Sequence, residues 1–430
     1  MNYKNGTQKH GLPVWKGTNS LKKLLNITDA NGVFLYDENG KRYFDWNSGV
    51  RCVWQHKHPK IEKVRKEYDG AQFVPLSTTT PQRDKLCAQI SQRTGLPRVF
   101  LPESGTGATA AAIQFAWSFF KGTKRKKILS IRPRSYHGGV GFVLELGDDA
   151  RRNLVPHCHE DLFHKVSSPP MFCGETEGEK VAQALHSLSE TIRNRGSETI
   201  AAMILEPVIG TGGVYPLPKA YLVGVQEILR KNGILFITDE IMSGCGRTGK
   251  MLAGEHSGIT PDMVLLGKGL TNAVFPLAAV AVNEEIAKHF ENNVVPAGST
   301  FNAHPFGCAI ASRVLEVFEE EKVFEHVAAM EVVACKEMQS LVDEFSCVKE
   351  FRLLGLFGAI ELQSKQGEPF LPNDLFVQEL QCDLQSRGLL TLFRGGTVMC
   401  SPPLTITANE LKEGFQIMRH GLRACSEAFL

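Results

Sequence analysis

Lys268 directly follows the apolar run Met263-Val-Leu-Leu266 and Gly267, and it stands 29 positions after Asp239, which closes a second apolar run, Ile234-Leu-Phe-Ile-Thr238. A lysine amine can hold an aldehyde as a Schiff base. A buried carboxylate can keep a pyridine nitrogen protonated, so that the ring accepts electrons from a breaking bond to an amine-bearing carbon. The two residue types together point to pyridoxal phosphate chemistry. Three further stretches could serve beside them. Glu103-Ser-Gly105-Thr106-Gly-Ala108 is a glycine-rich turn ahead of an apolar helical pattern, and its backbone N–H groups and the helix N-terminus suit a phosphate dianion. Tyr136-His137-Gly138 and Glu206-Pro207 each follow an apolar run. Taken singly, each is a common turn or strand end; their company gives them weight.

Those residues need a scaffold, and the apolar runs supply it. Residues 127–131, 200–205, 234–237, 263–266 and 277–282 are apolar without alternation, as strands of a mostly parallel sheet covered on both faces by helices must be. Helical patterns at residues 108–120 and 219–231, the second stopped by Asn232-Gly233, alternate with them. The expectation is an α/β fold with an open, doubly wound sheet over residues 70–305. Ligands of such sheets bind beyond the carboxyl ends of the strands, where every residue named above falls.

The flanks differ. Asp37-Glu-Asn-Gly40 joins two short strand patterns, residues 33–36 and 42–45, as a hairpin in the segment 1–69. Beyond residue 305 come helical patterns at 309–321 and 323–345, strand patterns at 357–362 and 389–393, and a closing helix from Ala408. Residues 306–430 read as a smaller α+β domain that packs with the N-terminal segment. Residues 173–178 read as a surface loop.

Composition bounds the function. With 430 residues, 43% hydrophobic and 22% charged, the chain can bury a large core, and a net charge of +2 leaves no footprint for nucleic acid or an anionic membrane beyond the basic loop 121–127. No apolar stretch spans a bilayer and no targeting pattern stands at the N-terminus, so a cytoplasmic location is expected. Eleven cysteines without a CxxC pair fit a reducing compartment, with Cys245 and Cys308 as core residues. His157, His159 and His164 lack metal-ligand spacing, and no metal site is expected.

The run from Phe236 through Asp239 to Arg247-Thr-Gly249, followed by Pro261-Asp262 and Gly267-Lys268-Gly269, resembles the class III pyridoxal phosphate aminotransferases of fold type I, from about residue 29 to the end. Within that family the stretches Asp239-Glu-Ile-Met-Ser-Gly244 and Lys250-Met-Leu-Ala-Gly-Glu-His256 look most like the ω-amino acid and taurine aminotransferases using pyruvate. The resemblance implies transfer of an amino group from a primary amine or ω-amino acid to a 2-oxo acid. It implies that Lys268 forms the internal aldimine and shuttles the proton, and that Asp239 pairs with the pyridinium nitrogen. Gly105 and Thr106 would bind the phosphate, Tyr136 would stack on the ring beside His137, and Glu206 would gate dual substrate binding. Thr300, in Gly298-Ser-Thr-Phe-Asn302, would reach the phosphate of the partner subunit, which implies a homodimer with shared active sites. Aminomutase, epimerase and phospho-lyase relatives share this signature, as would a cofactor-holding protein without turnover.

Three departures bear on substrate. Gly107, Thr109 and Ala110 replace more polar residues of the family's phosphate turn, leaving the helix start less supported. The family's Gly-His-x-His-Pro appears as Gln55-His-Lys-His-Pro59, which puts Arg51 and Trp54 where the family shapes its pocket. Met399 stands three residues before Pro402-Pro403-Leu404, a place the family usually gives to the arginine that clamps the substrate carboxylate, so Arg394 or Arg51 would have to substitute.

Overall fold

The computed structural model describes Leu12 and residues 25–48, 54–75, 77–171 and 176–429. Near the N-terminus, β1 (Ile27–Asn31), β2 (Phe34–Asp37) and β3 (Arg42–Asp45) form an antiparallel meander. Its hairpin turn is closed by Asp37, whose Oδ1 accepts from the Asn39 and Lys41 backbone N–H groups, both at 2.9 Å.

The large sheet takes β4 (Arg98–Phe100), β5 (Lys127–Arg132), β6 (Phe163–Ser167) and β7 (Ile200–Leu205). A short ribbon, β8 (Val208–Ile209) with β9 (Tyr215–Pro216), interrupts before β10 (Leu235–Asp239), β11 (Met263–Leu266) and β12 (Ala279–Val282) complete it. The order is β4-β12-β11-β10-β7-β5-β6. The pairs among β11, β10, β7, β5 and β6 are parallel, and β12 runs antiparallel to both its neighbours. Every residue of β7, β10, β11 and β12 is buried, because helices cover both faces. The sheet grows outward from β5 to β6, then resumes at β7 on the other side of β5 and runs through β10 to β11. The chain therefore reverses direction between β5 and β7, and a crevice opens at such a reversal.

Towards the C-terminus, β13 (Val348–Leu354) and β14 (Phe357–Leu362) precede β15 (Leu389–Leu390), β16 (Phe393–Arg394) and β17 (Thr397–Cys400). β13, β14, β17 and β16 form one sheet, whereas β15 pairs in parallel with β3 and so joins the two ends of the chain. The single strand expected at residues 389–393 is thus two strands in different sheets. Residues 389–390 follow β3, and Phe393–Arg394 turns back onto β17 through Gly395, whose φ of 57° the turn requires.

The helix expected over 219–231 is Lys219–Lys231, and the one expected over 323–345 is Val323–Glu344. The helix expected from 309 begins at Pro305, a residue suited to a first turn because it has no N–H to leave unpaired. Of the loop expected at 173–178, residues 173–175 lie outside the described residues, and Glu177–Gly178 open the helix Glu177–Arg195 under a capping box from Thr176 and Glu179. Cys245 and Cys308 are both buried in the core, as expected. No helix among the described residues is long and apolar enough to cross a membrane.

Candidate functional site

The four adjacent parallel strands β5, β7, β10 and β11 end on one side of the sheet, and each end carries a residue singled out from the sequence. Asp239 is the last residue of β10, Lys268 begins the turn after β11, Glu206 follows β7, and Tyr136-His137 follows β5. A cavity of about 210 Å³ lies where they meet. Gly105, Thr106, Tyr136, His137, Glu206, Asp239 and Lys268 all line it, joined by Ser104, Gly138, Ile241 and Met242.

One wall is the N-terminus of the helix Gly105–Phe119. Ser104 caps it by accepting from the Gly107 N–H at 3.0 Å, and no acidic residue stands in its first turn. The positive end of the helix faces the cavity with no carboxylate in its own first turn, although Glu103, just ahead of the cap, brings one carboxylate oxygen close to Gly107. Two glycines keep this wall open. A Cβ on Gly105 would lie 3.0 Å from the Ile241 side chain. A Cβ on Gly138, whose φ is 141°, would come within 2.8 Å of the Thr106 hydroxyl. Thr109 sits one turn along, and its hydroxyl donates to the His137 carbonyl at 2.8 Å, tying the helix to the loop after β5.

The floor is acidic. Asp239 is 4% exposed; its Oδ2 pairs with His137 Nδ1 at 2.9 Å, and its Oδ1 accepts from the Ile241 N–H at 3.1 Å. Glu206 lies across the crevice between β5 and β7. Its Oε1 accepts from the Tyr136 N–H and its Oε2 from the Gly210 N–H, each at 2.9 Å. Burial, aided by the Asp239 carboxylate and opposed by His137, pushes the Glu206 carboxyl up to about 7. Burial likewise raises the Tyr136 phenol above its ordinary value. Lys268 has a φ of 44°, a left-handed conformation uncommon for a residue with a side chain and of a kind that concentrates at functional sites.

The donor set fits pyridoxal phosphate. The N–H groups at a helix N-terminus suit a phosphate, a buried and oriented carboxylate suits a ring nitrogen, a tyrosine offers a flat partner, and an amine stands beside them.

The residues expected at the substrate end are dispersed. Arg51 lies outside the described residues. Trp54 does not line the cavity; it is buried in the core with its ring 4.6 Å from that of His58 and 5.5 Å from that of Phe318. Met399 is fully buried in an apolar cluster with Val208, Val214, Met242, Phe357 and Ala359. Arg394, on β16, is exposed and lies within electrostatic reach of Tyr136. Thr300 is exposed, next to Ser299, whose hydroxyl donates to Glu103 at 2.5 Å. His159 pairs with Glu145 at 2.7 Å, and the described residues hold no cluster of three metal-ligating side chains.

One neighbour went unmarked in the sequence. Arg151 places its guanidinium 4.0 Å from the centre of the Tyr136 ring, from a loop that carries no motif. Met242, which lines the cavity, stands inside the quoted run after Asp239, so its position in that motif was the available signal.

The model of the family described as aminotransferase class-III matches residues 16–422. The chain is 31% identical to gamma-aminobutyrate transaminase 1, mitochondrial, of Oryza sativa subsp. indica, across 98% of this chain and 86% of that one. Among solved structures it is similar to the taurine:2-oxoglutarate aminotransferase of Bifidobacterium kashiwanohense in complex with PLP and glutamate, with TM-score 0.91 and 28% identity over 98% of this chain and 97% of that one. It is also similar to an (S)-enantioselective omega-transaminase of Thermomicrobium roseum, with TM-score 0.92 and 30% identity over 97% of each chain.

Proposed function

Since the chain belongs to the class III aminotransferases, fold type I enzymes whose cofactor is pyridoxal phosphate, we propose that it moves amino groups from a primary amine or ω-amino acid to a 2-oxo acid at the cavity where β5, β7, β10 and β11 end. The observation that carries this reading is the convergence of seven residues, each of a type the chemistry needs, on that one cavity.

Pyridoxal phosphate, when bound, supplies an aldehyde that condenses with amines and a ring that accepts electrons from the bond broken at the substrate carbon. The chain's own residues do the rest. Lys268 Nζ would hold the cofactor through its aldehyde and, as a base, would move a proton at the substrate carbon. Asp239 would hold a proton on the ring nitrogen, and His137 fixes that carboxylate. The N–H groups of Gly105 and Thr106 would hold the phosphate, and Tyr136 would offer its flat face to the ring. Glu206 holds the Tyr136 backbone in place through Oε1, which supports a positioning role alongside any gating of the two substrates. Arg394 is the candidate for a substrate carboxylate.

The reading includes a homodimer, with Thr300 of one subunit serving the phosphate of the other. It takes residues 70–305 as the cofactor-binding domain and residues 1–69 and 306–430 as the smaller unit. All nine described cysteines are free thiols, which supports a reducing compartment such as the cytoplasm.

The test is a titration of the reconstituted protein with taurine, β-alanine, 4-aminobutyrate, ornithine and an arylalkylamine, followed by cofactor absorbance. Loss of the visible band with one donor, and its return on adding a 2-oxo acid, is the expected result. A visible band that no amine changes would overturn transfer from these donors.

A further inference from the structure

Lys165 stands on β6, the outer strand of the large sheet, opposite Ser130 of β5, and it does not line the cofactor cavity. Its Nζ donates to the backbone carbonyls of Glu145 and Leu146, both at 2.5 Å, and to Ser130 Oγ at 3.1 Å. The Ser130 hydroxyl directs its own proton to the Leu146 carbonyl at 2.7 Å. All three partners of Lys165 are therefore acceptors, which suits an ammonium with three N–H donors. Burial pushes this amine down to about 7, with the Arg152 charge acting the same way and Asp148 and Glu145 opposing, so at pH 6 it carries all three donors.

Glu145 and Leu146 end the helix Val143–Leu146, which is a single turn. One turn has little stability of its own, and its last carbonyls find no partner within it. A cation with N–H groups to donate supplies what such an end lacks. The turn abuts Tyr136-His137-Gly138 from both of its ends. A Cβ on Gly138 would lie 2.7 Å from Val143 Cγ1, at the start of the turn. A Cβ on Gly147, just past its end, would lie 3.1 Å from the Ser135 carbonyl oxygen and 3.6 Å from Tyr136 Cα. The Asp148 N–H donates to that same Ser135 carbonyl at 2.9 Å. Both flanks of Tyr136-His137 thus rest on the turn, and Lys165 with Ser130 holds its carboxyl end.

We infer that Lys165 is a positioning residue for the cofactor: by holding the end of the turn 143–146 it fixes the backbone on either side of Tyr136-His137, and so sets where the Tyr136 ring meets pyridoxal phosphate. The inference rests on the reading that Tyr136 offers its face to the cofactor ring.

The test measures the dissociation constant of pyridoxal phosphate at pH 6 for the full chain, freed of cofactor and titrated back, in wild type, Lys165→Met, Tyr136→Ala and the double variant. Methionine keeps the apolar bulk of the lysine stem without its donors. Lys165→Met is expected to weaken binding by about fivefold or more, a part of the loss when buried acceptors go unmet. It is also expected to change the visible circular dichroism of the bound cofactor, which reads the setting of the ring rather than the stability of the fold. Tyr136→Ala is expected to weaken binding by itself. In that background Lys165→Met should add less than about twofold, since no ring remains to be positioned, whereas a general loosening of the fold would multiply the two effects. If Lys165→Met does not fold, Gly147→Ala, which presses on Ser135 from the same end of the turn, takes its place and the same outcomes decide. Affinity unchanged by Lys165→Met, or lowered by the same factor with and without Tyr136, overturns the inference and leaves Tyr136 at the cofactor. Affinity unchanged by Tyr136→Ala overturns the reading beneath it, and the inference with it.

Discussion

Replacing Glu206 by Gln removes a buried charge and a hydrogen-bond acceptor together, and pH separates the two effects. The side chain is 2% exposed, and its two oxygens each accept a backbone N–H, from Tyr136 and Gly210. Burial raises its carboxyl from 4.5 to about 7. Between those values the folded chain keeps a proton that the unfolded chain has released, so stability falls as pH rises across the window. The contribution is whole below the ordinary carboxylate value and lost as pH passes about 7. A shift of that size is worth roughly 3 kcal/mol. Gln does not titrate and lacks this slope. It has its own cost, because a protonated carboxyl accepts at both oxygens and an amide at only one, leaving a buried N–H without a partner at about 1–3 kcal/mol. Glu206→Gln should therefore be the less stable protein near pH 5, and the gap should close by roughly 3 kcal/mol, to near zero or past it, by pH 8. Urea unfolding followed by tryptophan fluorescence across that range measures the gap directly. A gap that stays constant would mean that Glu206 ionises as an ordinary carboxylate and that its burial carries no penalty.

Three further substitutions bear on other parts of the site. Lys268→Ala is expected to abolish the visible cofactor absorbance that survives gel filtration, together with amino transfer; an intact band would remove Lys268 as the anchor. Gly138→Ala would place a methyl 2.7 Å from Val143 Cγ1 and 2.8 Å from the Thr106 hydroxyl at a φ of 141°. It should weaken pyridoxal phosphate binding by about tenfold or more, since strain of this kind costs of order 1–3 kcal/mol, and an unchanged dissociation constant in a cofactor titration would contradict the cradle. Met399→Arg would bury a guanidinium in an apolar cluster and should destabilise by roughly 3–5 kcal/mol in chemical denaturation. Wild-type stability with a lowered KM for a 2-oxo acid would instead mean that this position opens onto the substrate.

Local pattern carried much of the fold. The helix Lys219–Lys231 was readable because its apolar stripe ends at Asn232-Gly233, and β11 because all four of its residues are apolar and buried. What local pattern lacks is the identity of a strand's partner. Leu389-Leu-Thr-Leu-Phe393 has the composition of one strand, yet its two ends pair with β3 and β17, elements hundreds and single digits of residues away. β1 is the opposite case. Ile27-Thr-Asp-Ala-Asn31 is polar and mostly exposed, and pairing with β2 rather than burial makes it a strand.

The same division runs through the site. That the candidate cofactor residues meet at one cavity was legible because that chemistry demands particular residue types and because the sheet brings the ends of four neighbouring strands together whatever the loops do. The residues expected at the substrate end are placed by long-range packing instead: Trp54 went into the core against Phe318 and Met399 into an apolar cluster, while Arg151 came onto Tyr136 from an unmarked turn. Thr109 makes the physical reason plain. As a departure from the family pattern it read as lost support for the helix start, but its hydroxyl donates to the carbonyl of His137, the residue that holds Asp239. A missing side chain can be read from sequence position alone. The tie its replacement makes depends on which loop lies opposite, and that loop is fixed by the order of strands β5 and β10 in the sheet rather than by any residue near Thr109.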